Sequence, residues 1–172
     1  MRRLILILKM VSMPSWVMGS PARQADLPEL VELSSDILVG VVSQSESYWD
    51  GRRIMTRHVL ETTDVWRGSE RSSGPIYFVT LGGRVGEIAQ RVSGAPVFRR
   101  GEEVVLFLAR SHQDELHPVG LSQGVFRVDN AAQVSMKSIR RELKAFEFIN
   151  PAVAPFPTRL KALKAAVLEV VQ

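Results

Sequence analysis

Ile37-Leu38-Val39-Gly40-Val41-Val42 runs on towards Tyr48, turns at Trp49-Asp50-Gly51-Arg52, and returns as Ile54-Met55-Thr56-Arg57-His58-Val59-Leu60. This stretch decides the fold class. A β-branched apolar run reads as a buried strand, and Asp-Gly supplies the positive φ angles of a tight hairpin turn. In the return strand, roughly 53 to 66, Ile54, Thr56, His58, Leu60 and Thr62 share one face and Met55, Arg57, Val59, Glu61 and Thr63 the other. The adjacent pair Val65-Trp66 breaks that alternation and predicts a bulge, and Arg67-Gly68 ends the strand. Gly40, inside the first run, marks a kink or a close crossing.

Outward from this hairpin, Pro75 to Leu81 and Glu103 to Ala109 read as a third and a fourth strand. His117 to Val128 carries the alternation and glycines of a curved strand pair at a barrel rim. Asp26-Leu27-Pro28-Glu29 has the cap, the proline and the following glutamate of a helix start, with Leu30, Val31 and Leu33 behind it. Ser138 to Phe146 spaces Ile139, Leu143 and Phe146 like one face of a short helix. Beyond Pro151, Pro155 and Pro157, Thr158 can cap a last helix with an apolar stripe of Leu160, Leu163, Val167 and Val170 or Val171 opposite Lys161 and Glu169. The expected fold is mainly β: a five-stranded OB-like barrel with a short N-terminal helix and a C-terminal helix. Its parts are a barrel domain over 26–129, a partly helical linker over 130–157 and an amphipathic helix over 158–172.

The chain begins Met1-Arg2-Arg3, continues with Leu4-Ile5-Leu6-Ile7-Leu8, and reaches small residues at Gly19-Ser20 and Ala22. Basic start, apolar stretch and small-residue exit are the three zones of an export signal, expected over 1–19 and removed on export to the periplasm or the medium. Lys9 and Pro14 interrupt the apolar stretch, which is too short to span a bilayer. The formal charge of +4 comes from 22 basic and 18 acidic residues. Losing Arg2, Arg3 and Lys9 leaves 19 basic residues against 18 acidic ones. A domain so nearly balanced has no long-range field to recruit nucleic acid. With 172 residues, 45% of them hydrophobic, one ordinary core is feasible. The absence of cysteine removes disulfides, thiol nucleophiles and thiolate zinc sites.

The blocks Ser35 to Val42, Gly51-Arg52-Arg53-Ile54 with Val65-Trp66-Arg67-Gly68, Gly82-Gly83-Arg84-Val85-Gly86, Val92-Ser93-Gly94-Ala95-Pro96, Gly101 to Leu108 and Gly120 to Val128, in this order, resemble a family of exported bacterial proteins of uncharacterised function. The resemblance covers roughly residues 27–128. It implies an OB-like barrel similar to the netrin-like domain of tissue inhibitors of metalloproteinases. It carries over no catalytic residue, and the N-terminal cysteine by which those inhibitors reach zinc has no counterpart here.

The connection from 82 to 101 is long for a compact domain and is the expected working surface. Its binding candidates are Gly83, Arg84, Gly86, Ser93, Gly94, Ala95, Pro96 and Phe98, a small-residue, proline-stiffened ridge suited to protein contact. The expected function is therefore a non-enzymatic binding domain, without cofactor or metal, that contacts another envelope or secreted protein. A metal-dependent or hydrolytic enzyme is the alternative. It would use His58, or the loop from His112 to His117, whose residues include metal-ligand types but not at the spacing of a helical zinc motif.

Overall fold

A computed structural model describes residues 20–68, 74–129, 136–150 and 153–171. The expected export signal lies outside them. The described strands are β1 (Ser20–Ala22), β2 (Asp36–Asp50), β3 (Arg53–Arg67), β4 (Ile76–Leu81), β5 (Gly83–Val85), β6 (Ile88–Gln90), β7 (Glu103–Arg110), β8 (Leu116–Pro118), β9 (Val125–Val128), β10 (Ile139–Arg140) and β11 (Phe146–Phe148). The helices are α1 (Leu27–Leu33) and α2 (Leu160–Val171). Among the described residues the protein is mainly β with two helices, one of them near the C-terminus.

The main sheet runs β10-β9-β7-β2-β3-β4, with β8 also paired to β7. The expected hairpin joins β2 to β3, but its two turn residues are Gly51 and Arg52: Asp50 pairs with Arg53 at the end of the ladder, and Gly51 alone takes a positive φ, at 59°. Register shifts fall between Ile37 and Leu38, Val39 and Gly40, and Val42 and Gln44. At the first of them Ile37 faces Arg67 and Leu38 faces Val65, so Trp66 is the extra residue of the expected bulge. The first half of β2 lies between β3 and β7, whereas from Gln44 onwards its only ladder partner among the described residues is β3. The hydrogen-bonded sheet is open. β4 and β8 approach each other, but no ladder joins them.

Two apolar clusters occupy the two faces of this sheet. Leu38, Val42, Leu60, Phe78, Phe98, Val104 and Leu106 form one. The other gathers Ile37, Val39, Trp66, Val105, Phe107 and Phe126 under Leu30 and Val31 of α1 and Leu163 and Val167 of α2. The carboxylate of Asp26 caps α1, Oδ1 accepting from the Glu29 N–H at 2.9 Å, as its sequence predicts. Leu163 and Val167 are fully buried, so α2 docks on its own chain.

The helix expected over Ser138 to Phe146 is not formed. Ile139 pairs with Val128 as β10, and Phe146–Phe148 pairs in parallel with β1. A short helix gains little by itself. Here the sheet edge offers Ile139 a buried place, and the Ile139 N–H donates to Thr158 O at 2.8 Å. The region from 117 to 128 is likewise divided, because a 3-10 turn (Leu121–Gly124) separates β8 from β9 on one edge of β7. Among the described residues no helix is long and apolar enough to cross a membrane.

Docking of α2 sets a clear expectation. Leu163→Ala should cost about 2–5 kcal/mol in urea unfolding, whereas Leu168→Ala, on the exposed side of the same helix, should stay within about 0.5 kcal/mol of the parent.

Candidate functional site

The connection between β4 and β7 folds against the body of the protein in two arcs. The first is the hairpin β5–β6, in which Arg84 pairs with Ala89 across a turn at Gly86 and Glu87. It is seated on a hydroxyl row of the β2–β3 ladder. Ser47 Oγ and Thr56 Oγ1 lie 2.9 Å apart, Thr56 Oγ1 donates to Gly82 O at 2.7 Å, and the Arg84 N–H donates to Ser47 Oγ at 3.2 Å. Gly83 must be glycine there. Its φ is 137°, and a Cβ would lie 2.3 Å from both Ser47 Oγ and Thr56 Oγ1. Gln90 completes the seat, its Oε1 accepting from the Ile54 N–H at 2.6 Å.

The second arc turns at Ser93-Gly94, where the Ala95 N–H donates to Val92 O at 3.1 Å and Gly94 takes φ 78°. Gly94 O accepts from both the N–H and the hydroxyl of Ser122, at 3.0 and 2.8 Å. A Cβ on Gly94 would lie 2.6 Å from Phe146 Cζ. Pro96 and Phe98 are buried, and the Phe98 ring meets those of His58 and Phe78 edge-on, at 4.9 and 5.3 Å. The mostly buried Arg127 holds the arc from below: it donates to Val97 O at 2.8 Å, pairs with Glu102 and lies 3.2 Å from Glu142.

The expected ridge thus divides into two groups with different supports. Gly83, Arg84 and Gly86 belong to the hairpin on β2 and β3; Ser93, Gly94, Ala95 and Pro96 belong to the turn against Phe146; Phe98 is a core residue. From Gly94 to Phe98 buried and more exposed residues alternate, whereas Gly86 to Ala89 are all exposed. Ile88 and Val97 stand outside at 56% and 72% exposure, beside exposed Arg84, Arg91, Arg99 and Arg100. None of these four guanidinium groups pairs with a carboxylate among the described residues. Ile88 and Val97 escape sequence reasoning because exposure depends on which face of the connection meets the sheet.

His58 is 2% exposed and bonded through both ring nitrogens, Nδ1 lying 2.7 Å from Ser45 Oγ and Nε2 2.9 Å from Thr80 Oγ1. Ser45 faces His58 across the β2–β3 ladder and is exposed. The alternating serines 43, 45 and 47 were the available signal for it. Burial beneath Phe78 and Phe98 pushes the imidazole down to about 4, so the ring is neutral at ordinary pH.

The loop from 112 to 117 is a hairpin bend. Ser111 Oγ accepts from the N–H groups of Gln113 and Glu115, both at 3.2 Å, and Arg110 pairs with Asp114 at 3.0 Å. His117 lies 3.7 Å from Glu115 and lines a cleft of about 270 Å3 between β4 and β8, with Asp50, Arg53 and Thr80; His112 is exposed and takes no part in that lining. Among the described residues no three metal-ligating side chains converge.

Comparisons with protein families, with curated proteins and with solved structures find no match to this chain.

The buried imidazole generates a pH prediction. Its pKa in the fold lies below the value of about 6.5 expected in the unfolded chain, so unfolding takes up a proton as the solution is acidified. The stability tied to this group is complete above pH 6.5 and is lost as pH falls from there to about 4, by up to roughly 3 kcal/mol. Urea midpoints across that window should fall more steeply for the parent than for His58→Gln.

Proposed function

We propose that this chain is an exported binding domain on an OB-like core, which contacts another envelope or secreted protein through the outward side of the 82–98 connection. One observation carries the reading. A connection of this length is pinned at Gly83, Gly94, Pro96 and Phe98, so its outward residues are presented with little conformational entropy left to lose on binding. Exposed Ile88 and Val97 supply apolar contact, and the four arginines that pair with no carboxylate among the described residues favour an acidic partner face. The OB-like reading is supported by the meander β2-β3-β4 and by β7 on the other edge of β2, with β8 brought round towards β4. Export rests on the three-zone leader at residues 1–19.

The test is cross-linking capture from native envelope and culture-fluid extracts, followed by direct binding of the captured protein to the purified chain. The control carries Arg84→Glu, Ile88→Asp and Val97→Asp, all at exposed positions, so its urea midpoint should match the parent's. Substitutions at Gly94 or Pro96 would be poor controls because both are buried. One protein enriched by the parent, bound directly and weakened at least tenfold by the triple variant is the expected result. Equal binding by both chains discards the surface.

A second reading, hydrolysis at Ser45, is favoured by its exposed hydroxyl lying 2.7 Å from the imidazole of His58. Against it, Thr80 occupies the place where a carboxylate would stabilise the imidazolium. A fluorophosphonate probe decides the matter: labelling that disappears in Ser45→Ala would establish a nucleophile, and an unlabelled parent chain would remove this reading.

A further inference from the structure

The helix-packed face of the sheet holds a groove of about 580 Å3, a volume within the range of small-molecule sites. It lies where α2 begins, lined by Leu160, Lys161 and Lys164 of that helix and by residues of β2, β3 and β7. Val39, Trp66 and Leu160 give it an apolar floor. The Trp66 indole is fixed, its Nε1 donating to Asp64 Oδ2 at 2.9 Å.

Three lysines, Lys137, Lys161 and Lys164, stand round this floor. Two are already paired: Lys164 with Asp64 at 2.6 Å and Lys137 with Glu103, also at 2.6 Å. Lys161 is exposed and has no carboxylate partner among the described residues. The rim therefore carries three positive charges and two negative ones. We propose that this groove binds an unesterified medium-chain carboxylate, its tail on Val39, Trp66 and Leu160 and its head on Lys161.

Charge and polarity select this class. A cationic amphiphile meets an unbalanced ammonium group at the rim, and a neutral one leaves Lys161 unused. A multiply charged head brings surplus negative charge beside Asp64 and Glu103, whose own charges are already spent on Lys164 and Lys137. A single carboxylate balances the rim. Burial of the tail supplies the main driving force, and the head fixes orientation. The groove and the 82–98 connection lie against different clusters, on opposite faces of the sheet, so the two proposals stand or fall separately.

Decanoate is the probe, titrated into the full chain carrying Trp16→Phe and Trp49→Phe so that Trp66 is the one remaining indole. Saturable change in Trp66 emission is expected, weakened at least tenfold by Lys161→Glu and at least tenfold for decanol in place of decanoate, with decyltrimethylammonium weaker still. Lys161 is exposed and makes no ion pair among the described residues, so Lys161→Glu should unfold at the parent's urea midpoint; Leu160→Asp tests the floor independently and should also abolish the emission change. No saturable change with decanoate overturns the proposal, as does equal binding of decanol, or binding that is indifferent to Lys161→Glu. Capture of a protein partner through the 82–98 connection should be the same for Lys161→Glu and the parent.

Discussion

The close crossing at Gly40 is the constraint on which the rest of the structure depends. A Cβ there would lie 2.5 Å from Glu61 O and 2.8 Å from Leu60 Cγ, distances that no side chain tolerates without moving the neighbouring strand. Gly40 sits beside a register shift, and a second shift follows two residues later. Bulges bend and twist a strand. Here they let one strand of fifteen residues serve two purposes, as the centre of a sheet over its first half and as one arm of a projecting hairpin over its second. The hydroxyl row that seats the 82–98 connection lies on that second half.

Where the chain crosses from one purpose to the other, charge is used to hold it. Arg127, mostly buried on β9, pairs with Glu102 and Glu142 and donates to Val97 O, linking the end of the long connection, the start of β7 and the segment after β10. Such a group has surrendered water, so its bonds are not optional. Removing one partner would leave a buried charge uncompensated, which is costly, even though the intact cluster adds little net stability. Arg141 makes a related compromise: its guanidinium lies 4.1 Å from the centre of the Phe156 ring, and burial pulls its pKa down to about 10. These contacts favour one arrangement of the segment after β9 over the helix that its side-chain spacing suggests.

How much of this was legible in the sequence depends on the range of the interaction. The hairpin turning at Gly51, the bulge at Trp66, the cap at Asp26 and the apolar stripe of Leu163 and Val167 were all readable, because each follows from neighbours within one turn or one strand pair. The 82–101 connection was recognisable as unusual by length and glycine content, and Gly83 and Gly94 do occupy positions that exclude side chains. Which of its residues face outward was not readable. Phe98, chosen as a contact residue, is instead a wall of the chamber around His58. Ile139 misled for a related reason: its spacing with Leu143 and Phe146 is helical, but a sheet edge supplied by Val128 captured it first.

By itself the sequence determined a mainly β chain, the place of its tightest turn, the helices α1 and α2 and the position of the long connection between β4 and β7. These are properties of local dihedral preference and of hydrophobic period. Tertiary structure alone decided that Ser45, His58 and Thr80 meet, residues separated by 13 and 22 positions, and that lysines at 137, 161 and 164 surround one apolar floor. Those meetings depend on strand register and on the bulges that shift it. A one-residue slip in either would turn each side chain to the opposite face.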